Sequence, residues 1–223
     1  MADLVTYQVL VDTAKRTILK LTNISDGTNE SNVLKVNTAN LAYAYTTVNL
    51  VANTGRFRIG EYVYAGANTA QTALVVDYLE PNTVLLANAN VGFGSFTSTA
   101  NITGLTSGVV RVQSGSVVAA NAIVDIEGIQ WSVSGGKAVY LLWGGSPNTC
   151  AFMCSYADGW DQSSKPNLKI TNDASSPTNN LLLTTKGFVA NDGYSIILSL
   201  SKRLGFLEPV KEKNITYGYV GAQ

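Results

Sequence analysis

Short hydrophobic and alternating runs, separated by polar turns, fill almost the whole chain. The runs TYQVLV at 6–11 and TILKLT at 17–22 flank a polar bend and predict a β-hairpin. The runs AIVDIEGIQW at 122–131 and YSIILSLS at 194–201 are rich in β-formers and predict two further strands. Because no segment shows a long helical period of hydrophobic residues, the pattern predicts an all-β fold, in the form of an antiparallel β-sandwich.

A segment with a different residue pattern begins at Gly55. The cassette GRFRIGEYVYAG at 55–66 is followed by a looser copy, GSFTSTANITG, at 94–104. The alignment of the two copies places Phe57 with Phe96. Two similar strand-turn-strand units favour a small β-barrel, since a solenoid needs at least three repeats. The residues of the cassette favour an architectural role over a catalytic one.

These patterns divide the chain into three parts. Residues 1–52 and 109–205 are predicted to form the β-sandwich, and residues 53–108 an inserted small β-barrel module. Insertions are tolerated at exposed loop tips, so the module is expected to project from its host. Residues 206–223 are predicted to form an extended C-terminal arm, which is ordered at low cost only when it lies on a partner.

The composition favours assembly with other proteins. Charged residues make up 13% of the chain, and 15 Lys+Arg balance 15 Asp+Glu. So few charges protect a lone monomer poorly against association, which favours a surface partly covered by partners, further copies of the chain among them. Neutrality argues against nucleic-acid binding, and no hydrophobic run approaches the ~18–20 residues of a membrane-spanning helix. The first residues lack the features of a signal peptide, so we expect synthesis in a cytoplasm.

Candidate chemistry is sparse. The chain contains no histidine, which removes Ser-His and Cys-His pairs and His-based zinc sites. Asp125 and Glu127 stand two residues apart on a predicted strand, so their carboxylates share a face as in a glycosidase pair, but a solvated strand face is the favoured interpretation. Cys150 and Cys154 are expected to be packing thiols. We therefore predict no catalytic residue, no cofactor and no metal ligand.

Six residues are predicted to contact partners. They lie on the first strand, at the tips of the inserted module, in a polar loop and in the arm: Tyr7, Asn68, Asn82, Trp160, Tyr217 and Tyr219. Trp160 is the tryptophan outside a hydrophobic strand, so a sugar-stacking role in a carbohydrate-binding module is an alternative for it.

Three stretches resemble a family of virion structural proteins of tailed phages, common in phages of cyanobacteria and other aquatic bacteria. They are TYQVLVDTAKRTILKLTNISDGTNESNVLKVN at 6–37, IEGIQWSVSGGKAVYLLWGG at 126–145 and NNLLLTTKGFVANDGYSIILSLSK at 179–202. The cassette is similar to a module frequent in phage structural proteins, F-x-x-G-E-x-V closed by I-T-G-x-x-S-G, here FRIGEYV at 57–63 and ITGLTSG at 102–108. The outer pattern of the family usually runs uninterrupted, whereas here the cassette interrupts it.

The resemblance implies a non-enzymatic virion protein and brings no catalytic or cofactor residue with it. Within that class we expect a capsid decoration (cement) protein, bound as a homo-oligomer across major capsid protein subunits on the capsid exterior. A place in the neck, tail or baseplate is the alternative within the class, and a carbohydrate-binding module that recognises the host is the alternative outside it. An enzyme that acts through Asp125 and Glu127 is the weakest hypothesis. No nucleic acid, membrane or small-molecule substrate is expected as a partner.

Overall fold

The structure, a computed structural model, describes residues 4–52, 55–66, 68–88, 101–119, 121–161 and 169–209. These residues form sixteen β-strands and one short 3-10 helix at Thr38–Asn40. Every pairing between these strands is antiparallel, so the predicted all-β, antiparallel fold is confirmed. In chain order the strands are β1 Leu4–Asp12, β2 Arg16–Ile24, β3 Val33–Val36, β4 Tyr45–Asn49, β5 Tyr62–Ala65, β6 Asn68–Glu80, β7 Thr83–Asn88, β8 Ile102–Gly104, β9 Val110–Arg111, β10 Val118–Ala119, β11 Ile123–Val133, β12 Ala138–Trp143, β13 Thr149–Ser155, β14 Ala157–Asp161, β15 Leu181–Lys186 and β16 Gly193–Leu204.

Two of the three sheets form a sandwich around a common core. The five-stranded sheet has the order β1-β2-β16-β11-β14, and the four-stranded sheet has the order β13-β12-β15-β3. Side chains alternate between the core and the outside along a strand, so that Leu19 and Leu21 of β2 are buried while their neighbours are half-buried. The same core contains Trp143, Leu183 and Ile196 from three other strands.

The third sheet has seven strands, in the order β10-β4-β7-β6-β5-β8-β9. Its two ends meet, because Leu50 bridges Gln113 and the Val51 amide donates to the Val112 carbonyl at 2.8 Å. The sheet therefore closes as a small barrel. Its core contains the buried side chains of Val48, Phe57, Val63, Val75, Val84, Leu86 and Ile102.

The seven-stranded sheet extends beyond both predicted limits of the inserted module, 53 and 108. It includes β4 before the first limit and β9 and β10 after the second. β4 belongs to this sheet because it pairs with β7 and its fourth residue, Val48, is fully buried in the barrel core. β9 and β10 have two residues each, too few for alternation to reveal them in the sequence. Sheet membership alone does not define domains, so the division of the chain into domains stays a prediction.

A buried ion pair lies where the chain passes from the sandwich to the barrel. The Lys202 ammonium, on β16, contacts the Asp12 carboxylate and donates to the Ala42 carbonyl at 2.6 Å. Asp12 also accepts from the Ala42 amide at 2.9 Å and from the Thr17 hydroxyl at 2.7 Å. Burial lowers the pKa of Lys202, an effect that Asp12 opposes. The cluster thus ties β1, β2 and β16 to the segment that leads into β4.

Candidate functional site

The Gly-Glu pair of the cassette holds a turn that is distant in sequence. The Glu61 carboxylate, 5% exposed, accepts from the Arg58 amide at 2.6 Å and the Thr106 amide at 3.2 Å. It also accepts from the Ser107 amide at 2.9 Å and the Ser107 hydroxyl at 2.8 Å. Glu61 therefore replaces the water that these turn donors would otherwise bind. Its contacts are those of a structural residue.

The glycines of the same two motifs make this contact possible. A Cβ atom at Gly104 would lie 2.4 Å from the Ser107 hydroxyl and 2.9 Å from the Glu61 carboxylate. Gly60 and Gly108 have φ angles of +86° and +67°, in the region that side chains disfavour. The FRIGEYV and ITGLTSG stretches are thus two halves of one turn structure.

The outer face of the barrel carries hydrophobic side chains on neighbouring strands. Along β9 the buried Arg111 points inward, so the residues on either side of it face outward. Two of them, Val110 and Val112, and three further side chains of the barrel are 45% to 55% exposed. Together they form what we call the barrel patch: Val51, Tyr62, Leu105, Val110 and Val112.

Strand pairing brings the members of the barrel patch together. β8 pairs with β5 on one side and with β9 on the other. The Leu105 amide donates to the Tyr62 carbonyl at 2.9 Å, and the Val51 amide to the Val112 carbonyl at 2.8 Å. The patch therefore extends across adjacent strands. Its sequence signal, the run VVRVQ at 109–113, is short, and sequence reasoning did not identify it as a site.

Asn82, a predicted contact residue at a module tip, is held by the barrel itself. Its carboxamide oxygen accepts from Arg111 Nη2 at 3.0 Å, and its backbone carbonyl accepts from the Leu50 amide at 2.7 Å. Arg111 also donates to the carbonyl oxygens of Val51, at 2.8 Å, and Gly55. Asn82 thus fixes the β6–β7 turn, and its contact with a partner stays a prediction.

A second surface lies at the open side of the sandwich, between β1 and β3. This groove has a volume of about 410 Å³. Val5, Tyr7 and Leu34 line it and are 45% to 48% exposed. We call it the β1–β3 groove. Its remaining lining residues are Thr6, Leu21, Val33, Lys35, Asn37, Asn40, Leu41 and Tyr194.

Tyr7, predicted to contact a partner, lies in the wall of the β1–β3 groove. Desolvation by its surroundings, with a smaller contribution from Asp12, raises the pKa of the Tyr7 phenol to about 12. The phenol is therefore neutral near pH 7 and offers a ring together with a hydrogen-bonding hydroxyl. Behind the groove, Lys35 pairs with Glu30, which accepts from the Tyr194 hydroxyl at 2.9 Å. These properties suit an amphipathic ligand such as an extended peptide segment.

Asp125 and Glu127 are not solvated, and that prediction is wrong. They are 5% and 7% exposed, because basic side chains from other parts of the chain cover them. Arg16 Nε lies 2.6 Å and Lys169 Nζ 3.8 Å from the Glu127 carboxylate, while Arg203 Nη2 lies 3.4 Å from Asp125 Oδ1.

The two carboxylates differ in how well they are satisfied. Glu127 accepts from the Ser199 hydroxyl at 3.0 Å in addition to its ion pairs. Asp125 Oδ1 has no hydrogen-bond donor within the described part of the chain. Burial raises the pKa of Asp125, and the charges of Arg203 and Lys169 reduce this rise. The arrangement joins strands of the five-stranded sheet to the segment at Lys169.

The other predicted residues are less informative. Asn68, predicted at a tip of the module, begins β6. Trp160 was predicted in a polar loop, and that placement is wrong, because Trp160 lies within β14 and pairs with Ile129 of β11. The structure does not describe the side chains of these two residues. Tyr217 and Tyr219 lie outside the described residues. Cys154 is buried, as expected of a packing thiol, whereas Cys150 is exposed.

The described residues contain neither a metal-binding cluster nor a membrane-spanning helix. Among them, His, Cys, Asp and Glu side chains form no group of three or more that could hold a metal ion. No helix in these segments is long and apolar enough to cross a membrane. No protein-family model matches the chain, and no curated protein matches it significantly.

Proposed function

We propose that the protein is a non-enzymatic structural protein of a tailed-phage virion, and specifically a capsid decoration protein that binds across major capsid protein subunits. The barrel patch is the observation that carries this proposal. It presents hydrophobic side chains from Val51 to Val112 on the outside of a barrel whose core is already filled. Exposed hydrophobic side chains grouped on neighbouring segments of a folded domain are the feature expected of a site of protein interaction.

The architecture suits attachment to a repeating protein surface. The barrel patch lies on β5 and β9 and on residues that directly follow β8 and β9 or bridge to them, and the closed sheet and the Glu61 turn hold these segments, so little order is lost on binding. A stable protein contact buries on the order of 1,200–2,000 Å² in total. Symmetry-related copies that also contact one another would add avidity to each such contact. The mechanism is thus burial of hydrophobic surface across a junction between capsid subunits.

The resemblance of the sequence to virion proteins supports the biological setting. The cassette motifs FRIGEYV and ITGLTSG, which carry part of that resemblance, build the turn beside the barrel patch through Glu61 and Ser107. Leu105, a member of the barrel patch, lies within the second motif. The motifs therefore supply both the scaffold and a contact residue, which is the role expected of a module reused among structural proteins.

Copy number in the particle tests this proposal. Quantitative mass spectrometry of purified virions of the phage that encodes the chain should find on the order of hundreds of copies, as icosahedral head symmetry requires. About six or twelve copies would contradict the decoration role and assign the protein to the neck, tail or baseplate. Absence of the protein from intact virions would overturn the virion role altogether.

A further inference from the structure

A cleft of about 490 Å³ lies on the barrel, between the first half of the cassette and β6. Its lining residues are Arg56, Phe57, Arg58, Ile59 and Tyr78. Phe57 is buried in the barrel core, whereas the arginines on either side of it are exposed. Because exposed and buried residues alternate here, the two arginine side chains leave the backbone on the same side. Two guanidinium groups therefore face one cleft, which we call the Arg56–Arg58 cleft.

Tyr78 fixes the residue that lies between the two arginines. The Tyr78 hydroxyl accepts from the Phe57 amide at 2.8 Å and donates to the Phe57 carbonyl at 3.4 Å. The Arg56 guanidinium lies over the ring of the same tyrosine, with Cζ 5.4 Å from the ring centroid. A guanidinium that stacks in this way keeps its N–H donors available, because they lie in the guanidinium plane. Arg56 is thus positioned while its donors remain free for a ligand.

The backbone of Arg58 is fixed as well. Its amide donates to the Glu61 carboxylate at 2.6 Å, and its carbonyl accepts from the Glu61 amide at 3.1 Å. The chain is therefore held to the barrel at both Phe57 and Arg58. Little backbone order is lost when the two arginines bind one ligand, and this favours binding.

The positive charge of the cleft is not neutralised by the described part of the chain. None of the ion pairs within that part includes Arg56 or Arg58. The Glu61 carboxylate is buried and already accepts from three amides and a hydroxyl. Burial raises the pKa of Tyr78, although the charges of Arg111 and Arg56 oppose this rise. The phenol is therefore neutral near pH 7 and offsets neither guanidinium.

Two guanidinium groups at one cleft favour a ligand with more than two anionic oxygens. A carboxylate has two oxygens, and a single guanidinium satisfies both of them in a bidentate pair. A phosphate monoester has three terminal oxygens and a charge of about −1.5 to −2 at pH 7. It can therefore accept from both arginines and balance both charges. The half-buried Ile59 in the lining offers an apolar contact to the organic part of such a ligand.

We propose that the Arg56–Arg58 cleft binds a phosphate group, which accepts hydrogen bonds from both guanidinium groups. Free phosphate and a phosphate monoester share this chemistry, and the experiment below distinguishes them. The inference concerns the isolated chain and is independent of the virion role, so either can fail without the other.

NMR titration of the full-length chain with inorganic phosphate, at constant ionic strength and near pH 7, tests the proposal. The Nε–H signals of Arg56 and Arg58 should shift and saturate. Arg56→Gln/Arg58→Gln should weaken binding at least about tenfold, because both charged donors are lost. Lys15→Gln/Lys186→Gln removes the same charge from two exposed lysines of the sandwich and should bind like the wild type. Phe57 and Tyr78 are unchanged in both variants, so their signals report that the barrel is folded.

A parallel titration with glucose 6-phosphate identifies the source of the phosphate group. Tighter binding than that of inorganic phosphate, with a shift of the Ile59 signals, would assign the cleft to a monoester. Equal binding would assign it to free phosphate.

Three other outcomes would overturn the proposal. The first is a shift that grows linearly with phosphate and does not saturate, which would indicate general screening of charge. The second is equal binding by the arginine and the lysine double variants. The third is binding of acetate as tight as that of phosphate, which would show that the cleft does not select for a third oxygen.

Discussion

The sandwich and the barrel differ in how they deal with the edges of their sheets. The barrel joins its two ends through the Leu50–Gln113 bridge, so its exposed hydrophobic residues lie on an outer face. Within the described residues the sandwich leaves β1 paired on one side only, and three of its exposed hydrophobic side chains, Val5, Tyr7 and Leu34, line the β1–β3 groove there. A face accepts the surface of another folded protein, whereas an edge accepts a single extended strand. The two regions therefore call for different partners.

The two regions also hold their buried charges differently. In the sandwich and at its junction, Lys202 pairs with Asp12 and Lys35 with Glu30, so each buried charge depends on another side chain. In the barrel, Glu61 is held by backbone amides and a hydroxyl, and Arg111 donates to two backbone carbonyls and to the neutral carboxamide of Asn82. Loss of one partner should leave an unpaired charge in the first case and an unsupported turn in the second.

The largest effect is expected at the junction. Lys202→Ala leaves the Asp12 carboxylate buried without its cation and should lower the free energy of unfolding by about 3–5 kcal/mol. Denaturant unfolding measures this change. Lys186→Ala, which removes an exposed lysine from β15, is the control and should change stability by less than about 0.5 kcal/mol. Equal stability of the two variants would contradict the structural role of the ion pair.

A smaller and more local effect is expected in the barrel. Glu61→Ala leaves the amides of Thr106 and Ser107 without their acceptor and should cost about 2–4 kcal/mol. Amide exchange should rise in the 104–108 turn and remain unchanged in β2 and β16. Glu80→Ala, at an exposed site on β6, is the control. A loss of protection spread equally over both regions would show that Glu61 does not act on the turn alone.

The smallest effect is expected on the melting temperature, when the buried carboxylates of Asp125 and Glu127 are replaced by amides. A carboxyl whose pKa is raised in the folded state costs stability when ionised, and protonation removes that cost as the pH falls through the folded-state pKa. Asp125→Asn should therefore raise the melting temperature at pH 7 by at most about 2–4 °C, with a gain that shrinks toward acidic pH. Glu127→Gln, which loses its ion pairs with Arg16 and Lys169, should lower the melting temperature at pH 7. A melting temperature of Asp125→Asn below that of the wild type at pH 7 would contradict this assignment.

Features that depend on local sequence were predictable. The runs at 6–11 and 17–22 lie in β1 and β2, and the runs at 122–131 and 194–201 supply most of β11 and β16. Each has enough residues for alternation or β-propensity to stand out. The all-β class follows from these runs, because hydrophobic residues with a period of two can be buried only by a sheet.

Features that depend on contacts between distant residues were not predictable. Glu61 bonds to amides about 45 residues away, and nothing in the cassette alone shows that its carboxylate has a structural partner. The burial of Asp125 and Glu127 arises because Arg16, Lys169 and Arg203 converge on them from three parts of the chain. The barrel patch depends on the pairing of β8 with β5 and with β9, and β9 has only two residues, too few to carry a periodic signal.

Binding to phage heads that lack the protein tests the central claim most directly. Purified wild-type protein should bind such heads, and Val110→Lys, which places a charge in the barrel patch without changing a buried side chain, should bind at least about tenfold more weakly. Val189→Lys, at a similarly exposed valine of the sandwich, is the matched control and should bind like the wild type. Equal binding of Val110→Lys and Val189→Lys, at wild-type affinity, would contradict attachment through the barrel patch.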